Sequence, residues 1–304
     1  MIRKAFLLGA GLGTRLRPLT DRLPKPLVPL YHRPLVEWAM IACRELGIEE
    51  FAINTHHLPE QWRRLDGGWQ MIEGKGLKSE NGLAAELATW EGLPVSLFHE
   101  PELLETGGGI RNIASWIGDD SVLVHNGDIY SSMPLGELIA AHEASDNVVT
   151  LALRSEGVAK HIAIEDGQIF DIRKLLGKAE GTHVFSGIYC FSPELLERIP
   201  SGEKIKVIPA FLELAQEGRL GGVVLDEGVW FDLGDHESYL AAHRELKLAD
   251  AVHAEAEVAA DAVVDGSVIG PGAVVGAAAE VRDSVLWPGS EVAGGEVVEG
   301  KVVV

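Results

Sequence analysis

Cysteine is scarce: the 304-residue sequence holds two, Cys43 and Cys190, each within an apolar run and sharing no short-spacing motif. That excludes a disulfide framework, and both read as reduced core thiols. Basic residues are also few, 26 Lys and Arg against 46 Asp and Glu, for a formal charge of −20. A general binder of nucleic acid or of anionic membrane needs the opposite balance, so neither is an expected partner, and an anionic small molecule would need a local basic site. Long hydrophobic runs are missing. The opening MIRKAFLLGAG is too short an apolar run for a signal peptide, and nothing approaches the roughly 20 apolar residues of a membrane span, so the cytoplasm is the expected location. Two familiar phosphate loops are absent as well: no Lys-Ser/Thr closes a Walker-type loop, and no helix directly follows a Rossmann fingerprint. Neither a catalytic triad nor a paired acid–base motif stands out.

What is present is an alternation of short apolar runs with helical patterns, which predicts an α/β fold with an open, mostly parallel, Rossmann-like sheet covered by helices. KAFLL, FAINT, VSLFHE, SVLVHNGD, VVTLALR and FSGIYCF read as strands; LVEWAMIACRELG, GGIRNIASWI, LGELIAAHEAS and IPAFLELAQEG read as helices. Residues 66–92 are glycine-rich, charged and poorly periodic, and read as an insertion or loop in which GLAAELATW could form a helical turn or more. Composition changes near residue 250, dividing a domain of residues 1–250 from a tail of residues 254–304. In the tail Val263, Ile269, Val275, Val281 and Trp287 recur at six-residue intervals, with glycine and small residues at the intervening corners. That period predicts a short left-handed parallel β-helix. Two or three coils are too few to be very stable alone, so the tail should pack on the first domain or on another subunit, and it is a candidate contact for a homo-oligomer.

The stretch GAGLGTRLRPLTDRLPKPLVPL (9–30) follows the first strand. Gly9, Gly11 and Gly13 let backbone approach a ligand closely, Arg15 and Lys25 add cationic donors for phosphate, and Pro18, Pro24, Pro26 and Pro29 stiffen the segment that holds Lys25. The stretch resembles the signature of the sugar-1-phosphate nucleotidyltransferases, G-x-G-[ST]-R-x-x-P-L-T followed by P-K-P-[LM]-x-P. Further segments resemble that family in order: LLETGGGIRNI (103–113) its second glycine loop, VHNGDIY (124–130) its metal-binding Gly-Asp, FSGIYCF (185–191) a sugar-pocket strand, and VWFDLGD (229–235) its Trp-x-Asp-x-Gly element. The resemblance covers residues 1 to about 247, and the tail is similar to the short β-helix appended to many relatives.

The resemblance implies transfer of a nucleotidyl group from a nucleoside triphosphate to a sugar 1-phosphate. It implies Arg15, Lys25 and Asp128 as catalytic residues; Ala10, Gly11, Gly13, Thr14, Glu100, Thr106, Gly107 and Gly108 as nucleotide-binding, with Glu100 reading the base; Asn126, Ser186 and Gly187 at the sugar; and Asp128 with Asp232 on Mg²⁺. Structural alternatives stay open: Asp128 as a turn cap, Asp232 as a helix cap competing with Asp235, Glu100 before a turn at Pro101, and Ser186-Gly187 as close packing. Glu105 stands where many relatives carry glycine. His56 and His57 should point to opposite faces and make a poor chelate, and His125 has no assigned role. The motif ETGGGI leans toward the N-acetylmuramate-1-phosphate uridylyltransferases, hence toward UTP with an N-acetylated hexose 1-phosphate such as N-acetylmuramate 1-phosphate. GTP with mannose 1-phosphate is the alternative, and a catalytically silent regulatory or scaffold homologue is another.

Overall fold

The computed structural model describes residues 1–65, 67–157 and 159–304. Its contacts divide the chain into two compact units, Met1–Leu12 with Ala39–Trp230, and Gly13–Trp38 with Phe231–Val304. The tail thus shares a unit with the basic signature segment.

In the first unit eleven strands form one sheet: β1 (Lys4–Leu8), β2 (Glu50–Thr55), β3 (Trp69–Ile72), β4 (Glu86–Trp90), β5 (Leu93–His99), β6 (Val122–Asn126), β7 (Val149–Arg154), β8 (Ile162–Glu165), β9 (Gln168–Ile172), β10 (Val184–Phe191) and β11 (Leu220–Val224). Their spatial order is β8-β9-β11-β7-β10-β6-β1-β2-β5-β4-β3. The helices in chain order are α1 (Leu35–Glu45), α2 (Glu105–Asn112), α3 (Ala114–Ile117), α4 (Leu135–Glu143), α5 (Ile208–Glu217) and α6 (His236–Glu245). The parallel arrangement holds for the centre, β6-β1-β2-β5, whereas the flanks are mixed: β10 runs antiparallel to both β6 and β7, and β4 to both β5 and β3. A central parallel strand is covered on both faces, which is why β1 reads as a nearly unbroken apolar run. Phe6 and Val124 pack with Ile110 of α2, Trp116 of α3 and Phe211 of α5. Leu7, one residue on and so pointing to the other face, is equally buried.

The segment 66–92 is not an insertion without structure: it supplies the edge hairpin β3–β4, with Asp66 outside the described residues. ELATW is a strand because its alternation buries Ala88 and Trp90, and Trp90 packs edge-on against Phe51 at 6.2 Å. The predicted helix GGIRNIASWI starts earlier, at Glu105, and breaks at Ile113 into α2 and α3.

In the second unit three ladders of three short parallel strands build a three-coil β-helix, the left-handed form expected. Glu257 pairs with Val274 and Val274 with Glu291, so a coil takes 17 residues, not 18. The inward series is accordingly Ile269, Val275, Val281, Leu286, Val292 and Val298, with one five-residue step. Two of the residues expected inside are corrected by that slip. Val263 is 44% exposed, and Trp287, adjacent to inward Leu286, points out of the coil, where its Nε1 donates to Tyr239 Oη of α6 at 3.1 Å. Tyr239 Oη in turn donates to the Pro29 carbonyl at 2.6 Å. Among the described residues no helix is long and apolar enough to cross a membrane.

The register has a direct test in thermal and urea unfolding. Val281→Ala, which empties part of the coil interior, should cost about 2 kcal/mol. Val263→Ser should stay within about 0.5 kcal/mol of the parent. A strict six-residue register predicts comparable losses for both.

Candidate active site

The signature segment leaves β1 through a turn whose glycines differ in purpose. Gly9 N–H donates to Asn54 Oδ1 at 2.7 Å, and a Cβ on Gly9 would lie 2.7 Å from the Asn54 carbonyl oxygen, so close packing demands glycine there. Ala10 is buried, whereas Gly11 is exposed and a Cβ on it would meet nothing within 4 Å. Gly11 thus presents bare backbone to solvent, the surface a phosphate can approach.

The second unit carries the cations. Gly13 has φ +61, and a Cβ would strike the Thr20 methyl at 2.6 Å; Thr20 Oγ1 donates to the Gly13 carbonyl at 2.8 Å. Thr14 and Arg15 begin the short 3-10 turn that follows, both exposed, and the Arg15 guanidinium lies over Gly234, where a Cβ would come within 2.9 Å of Nη2. Lys25 is 7% exposed, an unusual degree of burial for an ammonium. It opens a turn between Pro24 and Pro26 that leads into a hairpin, Pro29–Leu30 with Arg33–Pro34. At the hairpin tip Tyr31 N–H donates to His243 Nε2 at 3.0 Å, and the rings stack at 5.5 Å. His243 Nδ1 therefore carries the proton and donates to the Tyr239 carbonyl at 2.9 Å; burial of this neutral tautomer lowers its pKa to about 4. The helix-cap question at VWFDLGD is decided by α6: Asp235 caps it through Ser238 N–H at 2.9 Å in a reciprocal capping box. That bond, the Ser238 hydroxyl and the charge of Arg15 hold the Asp235 carboxyl below its usual range. Asp232, at the end of the strand Trp230–Asp232, is exposed.

Asp128 follows β6 in the first unit and is half-buried. Gly127 N–H continues the parallel ladder by donating to the Leu8 carbonyl at 2.9 Å, which brings Asp128 alongside the Gly9–Gly11 turn. His125, fully buried with its pKa lowered to about 4 chiefly by desolvation, bonds through Nδ1 to the Asn126 carbonyl at 2.8 Å. Asn126 lies against Gly187, whose φ of +79 and lack of a Cβ admit the amide, since a Cβ would sit 2.6 Å from Nδ2. Ser186 is completely buried, and its hydroxyl donates to the Ala152 carbonyl at 2.8 Å across a β-bulge between β7 and β10.

The base-side residues are engaged in the protein's own hydrogen bonds. Glu100 is 0% exposed, and its two oxygens accept from Asn54 Nδ2 at 2.7 Å and from Leu104 N–H at 3.0 Å. Burial raises its pKa, against the opposing pull of those two donors. Thr106, Gly107 and Gly108 belong to α2, not to an open loop. Gly107 and Gly108 N–H both donate to the Ile205 carbonyl, Thr106 Oγ1 accepts from Val207 N–H, and a Cβ on Gly108 would meet the Glu203 carbonyl at 2.5 Å. Their glycines serve close packing of α2 on residues 203–207. Glu105 has φ +63, a conformation glycine adopts more easily. His56 Nδ1 bonds the Glu100 carbonyl at 2.7 Å, a backbone role. Sequence reasoning missed Asn54; its signal was a polar residue closing the apolar run FAINT.

The sequence matches the family described as nucleotidyl transferase over residues 4–248. It is 27% identical over 308 residues to the mannose-1-phosphate guanylyltransferase of Mycobacterium tuberculosis, covering 98% of this chain and 79% of that protein. With the UTP–glucose-1-phosphate uridylyltransferase of Synechocystis it shares 27% identity over 79% of this chain, spanning 62% of that protein. With the N-acetylmuramate alpha-1-phosphate uridylyltransferase of Caulobacter vibrioides it shares 28% over 81% of this chain and 97% of that protein. The UTP-bound UGPase from Acinetobacter baumannii has the same fold, with a TM-score of 0.64 at 20% identity over 80% of this chain and 92% of that one. Matched through most of its length, the chain is an enzyme that belongs to the nucleotidyl transferase family, whose sugar-1-phosphate nucleotidyltransferase signature opens its sequence.

Proposed function

We propose that this enzyme moves a nucleotidyl group from a nucleoside triphosphate onto a sugar 1-phosphate, giving an NDP-sugar and pyrophosphate. The observation that carries the reading is the Gly127–Leu8 backbone bond, which sets Asp128 beside the Gly9–Gly11 turn at the carboxyl ends of adjacent parallel strands. Ligands of open α/β sheets bind beyond those ends. The sugar phosphate oxygen, already ionised at neutral pH, attacks the α-phosphorus in line, and the bond to the departing pyrophosphate breaks. No general base is needed; the barrier is the approach of two anions, which positioning and fixed positive charge lower. Arg15, exposed, and Lys25, held by prolines, supply that charge to the triphosphate.

Asp128 and Asp232 each offer a hard carboxylate suited to Mg²⁺. Among the described residues no three or more His, Cys, Asp or Glu side chains gather to hold an ion, so phosphate oxygens would complete the coordination of either aspartate. Bound there, the ion supplies further positive charge against the phosphates. Asn126, backed by Gly187, is the group offered to the sugar.

For the substrates, UTP with an N-acetylated hexose 1-phosphate is the reading, supported by ETGGGI and by the relative from Caulobacter vibrioides, matched over 97% of its length. GTP with mannose 1-phosphate is the second reading, favoured by the Mycobacterium tuberculosis relative, which matches 98% of this chain with the tail included. Self-association through the tail remains part of the proposal, supported by the exposed valines Val263 and Val297 in one outward row.

Pyrophosphate release across a matrix of triphosphates and sugar 1-phosphates tests the reaction, with the highest kcat/KM expected for UTP and an N-acetylated hexose 1-phosphate. GTP with mannose 1-phosphate outperforming every UTP pair would move the substrate assignment to the second reading. Asp128→Asn and Asp232→Asn should each lower kcat by about 10²-fold or more with melting temperature retained. Near-normal turnover in either variant would remove that aspartate from the mechanism.

A further inference from the structure

A buried chain of polar groups connects the two segments that flank the proposed nucleotide site in the first unit. It runs from Gly9 N–H to Asn54 Oδ1 (2.7 Å), from Asn54 Nδ2 to Glu100 Oε1 (2.7 Å), and from Leu104 N–H to Glu100 Oε2 (3.0 Å). One end is the turn after β1 that leads to Gly11; the other is Leu104, the residue just before α2. Both side chains are buried, Asn54 at 3% and Glu100 at 0% exposure. A Cβ on Gly109 would lie 2.9 Å from Asn54 Nδ2 and 3.0 Å from Glu100 Oε1, so α2 is pressed directly onto the pair.

The direction of every bond in this chain is forced. A backbone N–H can only donate, so Gly9 requires an oxygen of Asn54, which turns the Asn54 amide nitrogen toward Glu100. Leu104 N–H is also a donor, so both Glu100 oxygens must accept. A glutamate carboxylate satisfies both donors with its two oxygens, and a buried donor left without an acceptor is costly.

We propose that the Asn54–Glu100 pair is a positioning device that locks the Gly9–Gly11 turn to the start of α2 and so sets the spacing of the segments between which the triphosphate binds. This rests on the nucleotidyl transfer proposed above. Neither residue touches substrate. Their effect reaches the triphosphate through the backbone at Gly9 and Leu104, leaving the sugar side, built on Asn126 and Gly187, untouched.

The test exploits the fixed bond directions. Glu100→Gln brings one amino group into a chain that has room only for acceptors, and rotating Asn54 merely moves the donor–donor clash to Gly9. Adding Asn54→Asp removes the clash: the new carboxylate accepts from Gly9 N–H and from the introduced amide, whose oxygen accepts from Leu104 N–H. Glu100→Gln alone should raise the triphosphate KM about tenfold while kcat and the sugar 1-phosphate KM stay within about twofold. The double variant Asn54→Asp/Glu100→Gln should return the triphosphate KM to within about threefold of the parent. An unchanged triphosphate KM in the single variant, a parallel loss of every kinetic constant, or a double variant no better than the single one would overturn the proposal. Amide hydrogen exchange at Gly9 and Leu104 reads the same chain without turnover, and should speed up in the single variant and slow again in the double. If the parent enzyme released no pyrophosphate from any pair, the proposed function would fall, and the exchange rates would still decide for or against the lock.

Discussion

Parallel pairing of β1, with β6 on one side and β2 on the other, is the constraint on which the first unit depends. It places three strand ends in one row, and each carries something the proposed site would use: Gly9–Gly11 after β1, Asp128 after β6, and Asn54 near the end of β2. Because both faces of β1 are buried, its chain can turn only beyond Leu8, and it does so where Gly9 has no room for a side chain. Packing therefore dictates where backbone becomes available to a ligand. The same row explains why Glu100, beyond the end of β5, faces inward: β5 pairs with β2, and Thr55 receives the Glu100 N–H at 2.8 Å.

Charge sets a second constraint. With 46 acidic residues against 26 basic ones, the molecule as a whole repels the anions it is proposed to join, so binding has to come from local cations held in place. Lys25 illustrates the solution. Three prolines, Pro24, Pro26 and Pro29, limit the backbone around it, and its side chain is buried. A cation fixed before the ligand arrives loses less entropy on binding than a flexible surface lysine.

The tail takes part in that fixation within the second unit. Trp287 bonds Tyr239, Tyr239 bonds the Pro29 carbonyl, and His243 accepts from Tyr31, so coil, α6 and hairpin share one polar seam. A three-coil β-helix gains neighbours to pack against, and the hairpin following Lys25 gains a rigid backing. The short side of each coil makes this geometry: a 17-residue turn leaves Leu286 inside and aims Trp287 outward at α6.

Local chemistry in the sequence determined a good deal by itself. Apolar runs such as KAFLL and VVTLALR are strands because a strand buried on both faces needs no polar alternation, and LGELIAAHE and IPAFLELAQE are helices that fill most of the segments predicted for them. The signature motif and the small-residue tail were legible because their glycines, prolines and repeats act over a few residues. The short strands β8, β9 and β11 toward one margin of the sheet, and the hairpin β3–β4 at the other, were not, since such a strand is defined by its neighbours and not by its own pattern. The site divides along the same line. Arg15 and Lys25 stood out as cations around a glycine turn, Asp128 and Asp232 through the family resemblance, and Asp235 as a cap beside its helix, whereas the inward orientation of Glu100 and Ser186 and the place of Asn54 as the partner of Glu100 depended on which strands lie side by side. A motif specifies which groups are available; only tertiary packing decides which of them are consumed by the protein's own hydrogen bonds and which remain turned toward a ligand.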